Sequence, residues 1–377
     1  MSEFKSSNFR NEDGSGGPDI VGLTTFTSPY YFVPPSGTTA ERPSDPAPGM
    51  LRFNEDIGRL EVWRNDHWAT ILGEQSATLG GRGLWGGGYS PGSSNTVDYV
   101  TIQSTGNAVD FGDLTQARSL LSACSSSVRG VFAGGRQSGT LYNIIDYVTI
   151  ATLGDAVNFG DLLNPVFQNT GCSNAVRGLF GGGYVTPAST NRIEFITISS
   201  TGDSTDFGDL SYSENATFAT SSRTRGLFAV GGSFINTINY VTIESTGNGV
   251  DFGDLTLGRQ AAATCSSSVR ALFAGGLSSV PASNTKTNTI DYVTISTLGN
   301  AQDFGDLTLA RGFYGGGCSD ATRGVFGGGY GLPSPATTHN NIDFVTISTT
   351  GNAQDFGDFP GYVRHRAGTC SNAHGGL

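Results

Sequence analysis

Three groups of side chains in this chain are suited to chemistry: four histidines, five cysteines and an aspartate that recurs after Phe-Gly. The histidines are His67, His339, His365 and His374, and none of them lies at the paired spacing of a metal site. They do not gather with acids or bases in one segment, as a catalytic site would require. We therefore expect no catalytic histidine, and solvated polar roles for His365 and His374.

The cysteines occupy one position of a repeated sequence, and Thr220 stands near that position in the remaining copy. They are Cys124, Cys172, Cys265, Cys318 and Cys370. A free cysteine packs as a small hydrophobe, and the cytoplasm keeps thiols reduced. The sequence therefore predicts small buried thiols, with no disulfide and no metal site.

The recurrent aspartates follow an Asp-Phe-Gly triplet that is interrupted once, by Asn158. They are Asp113, Asp161, Asp209, Asp254, Asp306 and Asp358. Asp-Phe-Gly also binds metal in protein kinases, but the phosphate loop, strand lysine and catalytic aspartate of a kinase are missing from this sequence. We predict turn or inter-strand residues that accept backbone hydrogen bonds or pair with a repeat arginine. Calcium binding is the alternative, because these turns are rich in oxygen ligands.

A hydrolytic or redox site should appear as a departure from the repeat, with its acid, base or metal ligands in one copy. No copy departs in that way. The sequence predicts no enzyme, no catalytic residue, no metal and no cofactor.

These residues belong to six copies of R-[GA]-[LV]-[FW]-[GA]-x-G, each followed about thirty residues later by a D-F-G-D segment. The copies begin at Arg82, Arg129, Arg177, Arg225, Arg270 and Arg323. Their period of roughly 45 to 53 residues is typical of four-stranded propeller blades. The sequence therefore predicts a repeat architecture for most of the chain.

Each copy also contains a strand of aromatic and β-branched residues, such as Val97 to Ile102, followed by a Gly-Asn turn that is Gly-Asp in two copies. A strand of small residues is predicted before each next Arg-Gly pair. These predicted strands are Arg118 to Cys124, Val166 to Cys172, Ala216 to Thr220, Gln260 to Cys265, Gly312 to Cys318 and Val363 to Cys370. We expect the last one to complete the blade that begins at Arg82, which removes an open sheet edge.

The order of an Arg-led strand, a Gly-paired strand, a Tyr strand and an aromatic-anchored strand resembles the kelch repeat from Arg82 to Leu377. D-F-G-D-L stands where kelch repeats have Trp and a Leu-Pro pair. The resemblance implies an all-β fold: a six-bladed kelch-like β-propeller closed by the C-terminal strand. An extended arm (1–48) and a small β-meander (49–75) are expected to precede the propeller (76–377). Kelch propellers differ widely in function, so the resemblance predicts no activity.

The composition restricts the possible partners. The chain has 56 glycines, 14% charged residues and a formal net charge of −11, which favours a glycine-rich all-β protein and disfavours nucleic acid as a partner. It has no apolar run long enough for a membrane span, and residues 1–5 do not resemble a secretory signal. We expect synthesis in a cytoplasm.

The copies differ most in the loop between the Gly-paired strand and the Tyr strand. Loops on a rigid scaffold are natural binding elements, and aromatic or cationic side chains stack on sugars or anchor a protein. The exposed candidates for this variable face are Tyr89, Arg136, Tyr142, Tyr184, Phe234, Lys286, Tyr330 and His339. The alternative is that these side chains only cover the rim.

The predicted meander is too small to bury its own apolar surface. Phe53, Trp63 and Trp68 are therefore expected to be exposed and to pack on the repeats, on a second copy or on another protein. We predict an anchoring or oligomerisation role for them.

The N-terminal segment contains P-x-G-T-T-A-x-R-P at 35–43, G-x-x-R-F-N at 49–54 and L-E-x-W-x-x-x-x-W at 60–68. It resembles a tail-fibre-type module of bacteriophage virion proteins, especially those of marine cyanophages. The Y-V-T-I-x-S-T-G-N-A-x-D-F-G-D-L repeats resemble repeats of the same kind of protein. The two resemblances together cover residues 18–377.

The phage resemblance implies a non-enzymatic virion protein that is made in the host cytoplasm and anchored to other virion proteins by its N-terminal region. The propeller is then expected to attach to a glycan or protein of the host surface. A decoration or assembly protein with no receptor role is the alternative, and a polysaccharide depolymerase is a further one. Analogy with phage fibres favours a homo-trimer.

Overall fold

The computed structural model describes residues 34–64, 66–70, 81–89, 91–280, 282, 284–313, 316–331, 337–360 and 364–377. The fold is all-β, and its sheets are almost entirely antiparallel. The chain divides into two compact units, Met1–Ser76 and Ala77–Leu377. Most of the predicted arm, the stretch 71–80 and Val363 lie outside the described residues.

The second unit contains six four-stranded sheets, whose strands we name inner, second, third and outer. The inner strands are Gly368–Ser371, Ser122–Ser125, Thr170–Ser173, Phe218–Ser221, Ala263–Ser266 and Gly317–Ser319. The second strands are Arg82–Gly86, Arg129–Ala133, Arg177–Gly181, Arg225–Ala229, Arg270–Ala274 and Arg323–Gly327. The third strands are Thr96–Thr101, Ile144–Thr149, Arg192–Thr197, Thr237–Thr242, Thr289–Thr294 and Asn341–Thr346. The outer strands are Val109–Asp113, Val157–Asp161, Thr205–Asp209, Val250–Asp254, Gln302–Asp306 and Gln354–Asp358.

The first sheet combines both ends of the repeat region. Its inner strand, Gly368–Ser371, pairs with Arg82–Gly86 in antiparallel register. The C-terminal strand therefore completes the sheet that begins at Arg82, as the sequence predicts.

The predicted inner strands begin too early. In the structure the backbone before most of them has a positive φ, at Leu120 (59°), Gln168 (58°), Ala216 (53°), Ala261 (57°) and Arg366 (65°). A residue in this left-handed region interrupts an extended strand. The predicted segments thus hold a connection followed by a strand of three or four residues.

The inner strands of consecutive sheets contact each other, and the last contacts the first. At the end of each inner strand a serine hydroxyl donates to the carbonyl of the equivalent serine in the preceding sheet, at 2.5–2.7 Å. The six serines are Ser125, Ser173, Ser221, Ser266, Ser319 and Ser371. Because Ser125 donates to Ser371, this series of hydrogen bonds forms a closed cycle.

A second closed cycle runs through the backbone of the connections, where N–H groups donate to carbonyls of the preceding connection at 2.8–3.3 Å. Its members are Leu120, Gln168, Ala216, Ala261, Phe313 and Arg366. The two cycles link all six sheets around their inner strands.

The outer strands depend on glycine. Gly112 has a φ of 145°, and a Cβ there would meet the backbone of Gly154, which lies in the turn of the next repeat. The N–H of Asp113 donates to the side chain of Asp155 in that turn at 3.0 Å, and all six repeats make the equivalent bond. The glycine of D-F-G-D is therefore required for contact between repeats.

The first arginine of each repeat does not pair with these aspartates. Arg129, for example, donates to the carbonyl of Ile198 in the next repeat at 2.9 Å and lies 4.4 Å from the ring centroid of Tyr147. Tyr147 in turn meets Phe159 edge-on at 5.8 Å. A cation, a third-strand ring and the phenylalanine of D-F-G-D thus pack as one column, which recurs in the other repeats.

All five cysteines are free and buried, as predicted. Their sulfurs face the glycines of the Arg-Gly pairs: the Cβ of an added side chain would lie 2.9 Å from Cys172 at Gly226 and would also meet Cys124 at Gly178. Ala271 is the one residue that replaces this glycine, and it follows the sheet in which Thr220 replaces cysteine. The two positions therefore vary together within this chain.

Four buried ion pairs link connections to third strands, and the sequence analysis did not identify them. Their arginines follow the outer strands, their aspartates precede the third-strand aromatic residues, and the N–O distances are 2.8–3.0 Å. The pairs are Arg118–Asp146, Arg259–Asp291, Arg311–Asp343 and Arg364–Asp98. The other two copies have Val166 or Glu214 at the arginine position, and Glu194 or Asn239 at the aspartate position. The arginine of one copy pairs with the aspartate of the next. Where the connection has Val166, the next third strand has Glu194, a buried carboxylate that pairs with Arg192 instead. Where it has Glu214, the next third strand has the neutral Asn239, which avoids an unpaired buried charge.

The first unit contains a sheet of four short strands: Ser36–Gly37, Leu51–Asn54, Arg59–Arg64 and His67–Thr70. One 3₁₀ turn, Thr39–Glu41, precedes the second of these strands. Only the first two strands pair in parallel. Among the described residues, no helix is long and apolar enough to cross a membrane.

A buried carboxylate organises this sheet. Glu61 accepts two hydrogen bonds from Arg42, at 2.6 and 3.1 Å, and one from Asn54 at 3.2 Å, while Arg52 lies 3.6 Å away. The hydrogen bonds from Arg42 are the main reason why the pKa of Glu61 is below its ordinary value. Fixed residues of all three N-terminal motifs therefore meet in one ion cluster, which consists of Arg42, Arg52, Asn54 and Glu61.

We predict that Gly178→Ala lowers the free energy of unfolding by about 1–3 kcal/mol, because the new methyl group overlaps the sulfur of Cys124. Cys124→Ala in the same chain should restore part of that loss, as chemical denaturation of both single variants and the double variant will show. Thr220→Cys should also lower the free energy of unfolding, because the new sulfur would overlap the methyl group of Ala271. Ala271→Gly in the same chain should restore part of that loss. If the effects of the two substitutions simply add in both double variants, the proposed contact between the cysteine sulfur and the facing glycine would be contradicted.

Arg259→Met should cost about 3–5 kcal/mol, because it leaves Asp291 buried without its partner. Adding Asp291→Asn, the residue type that the chain has at Asn239, should recover much of this loss. The measurement is equilibrium unfolding of the two variants. Equal stabilities of the single and double variants would contradict the ion-pair explanation.

Candidate functional site

The variable loops fold back on the connections between sheets. Short strands or single bridges join the two: Arg136 pairs with Ser119, Tyr184 with Phe167, Leu277–Ser278 with Arg259–Gln260, Tyr330–Gly331 with Arg311–Gly312 and Tyr89 with His365. Loops and connections therefore occupy one side of the second unit, which we call the loop side. The Gly-Asn turns lie at the opposite ends of the third strands.

A row of five side chains crosses three neighbouring loops on the loop side. The ring of His365 lies between Tyr89 and Tyr330, with both centroid distances at 5.5 Å. The Nζ of Lys286 lies 5.6 Å from the Tyr330 centroid, and the guanidinium carbon of Arg366 lies 5.7 Å from the Tyr89 centroid. We call these five residues the aromatic row; it has a cation at each end.

A smaller cluster lies on the two following loops. Arg136 covers the ring of Phe167 at 4.5 Å, and Phe167 meets Tyr184 at 5.4 Å. The hydroxyl of Tyr184 donates to the carbonyl of Pro187 at 2.8 Å. This cluster repeats the ring and cation chemistry of the aromatic row.

The remaining predicted residues on the loop side join neither cluster. Tyr142 is half-buried, and its hydroxyl lies 3.5 Å from Gln137. Phe234 has a φ of 58° in a tight turn. His339 packs on Gly331, and its pKa is lowered by burial and by Arg311.

The prediction that all eight residues are exposed is wrong. Tyr89 is 38% exposed, but the other seven are half-buried, because the loops pair with the connections. Phe167, His365 and Arg366, which come from the connections, also belong to these clusters and were not predicted. Phe167 and His365 occupy the same place in their copies, immediately before the positive-φ residue, where the other copies have Ser, Asn, Gln or Gly.

His365 and His374 are half-buried, so they are less solvated than the sequence predicts. Burial, and secondarily the charge of Arg366, lower the pKa of His365 to about 4. Burial lowers the pKa of His374 to about 4 as well. His374 Nε2 donates to the carbonyl of Ser125 at 3.1 Å, and its Nδ1 accepts from the N–H of Gly376 at 3.0 Å, so these contacts fit a neutral ring.

A pocket lies between the inner strands, with an empty volume of about 790 Å³ including its open mouth, and His374 is part of its lining. The serine hydroxyls in its wall already donate within their cycle. Burial raises the pKa of Cys370 to about 12, and the other four thiol pKa values are raised as well. The pocket therefore offers no activated nucleophile.

The predicted anchoring residues do not share one face of the N-terminal sheet. Trp63 lies directly opposite Trp68, with ring centroids 5.6 Å apart, and the strand alternation puts both on the face of Glu61. Phe53 is 37% exposed on the other face, next to Leu51 at 39%. The two tryptophans therefore belong to the face of the ion cluster, and the exposed apolar surface is the face of Phe53.

Across the described ranges, no group of three or more His, Cys, Asp or Glu side chains is placed to hold a metal ion. The candidate site is therefore the loop side, whose chemistry is that of ring faces and fixed cations.

No protein-family model matches the chain, and no curated protein is significantly similar to it.

The pKa shifts predict an acid-sensitive fold. A histidine whose folded pKa is about 4 and whose unfolded pKa is about 6.5 stabilises the fold above pH 6.5, and this stabilisation is lost as the pH falls towards 4. We expect His374→Gln to remove up to roughly 3 kcal/mol of the stability difference between pH 7 and pH 4. Denaturant unfolding at both pH values measures it, with exposed His67→Gln as the control. An unchanged pH dependence in His374→Gln would contradict this account.

Proposed function

We propose that residues 77–377 form a six-bladed kelch-like β-propeller with the C-terminal strand in its first blade. The serine cycle and the backbone cycle both return to their starting residue after six sheets, which supports this arrangement. So do the sheet built from both ends of the repeat region and the contacts between consecutive inner strands. Six equivalent sheets that contact their neighbours in a cycle leave no inner edge open for aggregation.

We further propose that the protein is a non-enzymatic phage virion component whose loop side attaches to the host surface. The observation that carries this proposal is the contrast between the two ends of the sheets. The loops differ in length and, together with the connections, carry two clusters of aromatic and cationic side chains, whereas the Gly-Asn turns are nearly uniform. Variation on a rigid scaffold is typical of recognition surfaces.

The N-terminal unit supplies the virion anchor in this proposal. Its sheet carries exposed apolar side chains on the face opposite the ion cluster, including Leu51 and Phe53. Apolar surface of this kind favours contact with another protein. The partners are other virion proteins or further copies of this chain, and a trimer rests only on the analogy with phage fibres.

The proposal predicts the placement of the chain in an intact particle. In a particle reconstruction that traces the chain, the loop side should face outward, and residues 34–70 should contact other virion subunits. The same purified protein should bind host cells and release no reducing sugar from host polysaccharide.

Two outcomes would replace the proposed function. A loop side buried against neighbouring subunits would make the protein a decoration or assembly component. Release of reducing sugar would make it a depolymerase.

A further inference from the structure

Charge is distributed unequally between the two ends of the sheets. The outer strands and the turns before them contain no lysine or arginine, and their acids are exposed or half-buried. These acids are Asp110, Asp113, Asp155, Asp161, Asp203, Asp206, Asp209, Glu244, Asp251, Asp254, Asp303, Asp306, Asp355 and Asp358. The arginines that open the second strands offset part of this charge, because they bond to the carbonyls just before the turns.

The loop side has the opposite balance. Once the buried ion pairs are set aside, its loops and connections carry Arg136, Lys286 and Arg366 as cations, together with Arg192, which pairs with Glu194. The one acid in these segments is Glu214, which bonds to Ser233 in the shortest loop, away from the aromatic row. Although the chain has a formal net charge of −11, these segments thus contain no acid next to the aromatic row apart from the buried ion pairs.

The aromatic row combines two kinds of contact. Tyr faces bind the apolar faces of sugar rings, and the cations at its two ends attract negative charge. His365 is neutral at physiological pH, so the positive charge is confined to the ends. An extended chain of sugars with acidic groups matches this order of cation, rings and cation.

We propose that the aromatic row binds an acidic polysaccharide, with Lys286 and Arg366 pairing with sugar carboxylates and with Tyr330 and Tyr89 stacking on sugar rings. This inference rests on the proposed attachment function and names the class of its ligand. Single-stranded nucleic acid also stacks and carries charge, but the net charge of −11 and the few cations on the loop side disfavour it.

The test uses the full chain and short oligogalacturonate as the probe, with its methyl ester as the uncharged match. Calorimetry should detect binding of the acid form, weakened by added salt, and at least tenfold weaker binding of the ester. Lys286→Gln and Arg366→Gln should each weaken binding of the acid by about fivefold. Tyr330→Ala should weaken binding of both forms, because stacking does not depend on the charge.

Two control variants lie outside the aromatic row. Tyr212→Ala removes an exposed ring from another connection, and Arg223→Gln removes an exposed cation from a turn between an inner and a second strand. Both should bind the acid form as the unaltered chain does. Thermal unfolding of every variant separates lost binding from lost folding.

Equal binding of acid and ester, equal losses in the control variants, or tighter binding of oligothymidylate would each overturn the inference. If the chain binds host cells through the loop side but shows no preference for acidic sugar, the ligand class is wrong and the attachment function stands. If the loop side is buried in the particle and the chain does not bind host cells, the attachment function itself fails.

Discussion

The structure of the second unit depends on close approach between backbones of successive repeats. The glycine of each D-F-G-D segment lies against the backbone of a turn in the next repeat, where a Cβ would collide. This approach brings the neighbouring N–H within hydrogen-bonding distance of a turn side chain and leaves the phenylalanine of D-F-G-D under a third-strand ring. These six glycines are thus required by the contact between repeats, and they do not indicate flexibility.

The same constraint explains which residues vary together. The sulfur of an inner-strand cysteine fits only where the facing residue of the next sheet's second strand is glycine, and the repeat with Thr220 is the one that is followed by Ala271. Likewise, the third-strand aspartate occurs only where the preceding connection supplies an arginine. Six copies in one chain therefore record which pairs of side chains the interior accepts.

Periodicity in the sequence predicted the strands, the completion of the first sheet by the C-terminal strand and the burial of the thiols. It failed where tertiary context decides. The positive-φ residues before the inner strands include leucine, glutamine and alanine, which carry no turn signal. His365 lies near the chain terminus, yet its burial between two tyrosines depends on a contact between distant segments. The loop-side residues were identified by type, but their pairing with the connections was not, because those contacts join segments that are far apart in the sequence.

The strand order of the first sheet also determines when that sheet can be completed during synthesis. Its inner strand, Gly368–Ser371, leaves the ribosome long after the second strand, Arg82–Gly86, with which it pairs. Until then the glycine-rich second strand has an unpaired edge, while the intermediate sheets can form in sequence. Joining the ends then costs roughly 5 kcal/mol of loop entropy if the intervening chain is still unfolded, and much less once the sheets between them are in place. Cotranslational folding of the middle repeats therefore prepares the two ends to meet.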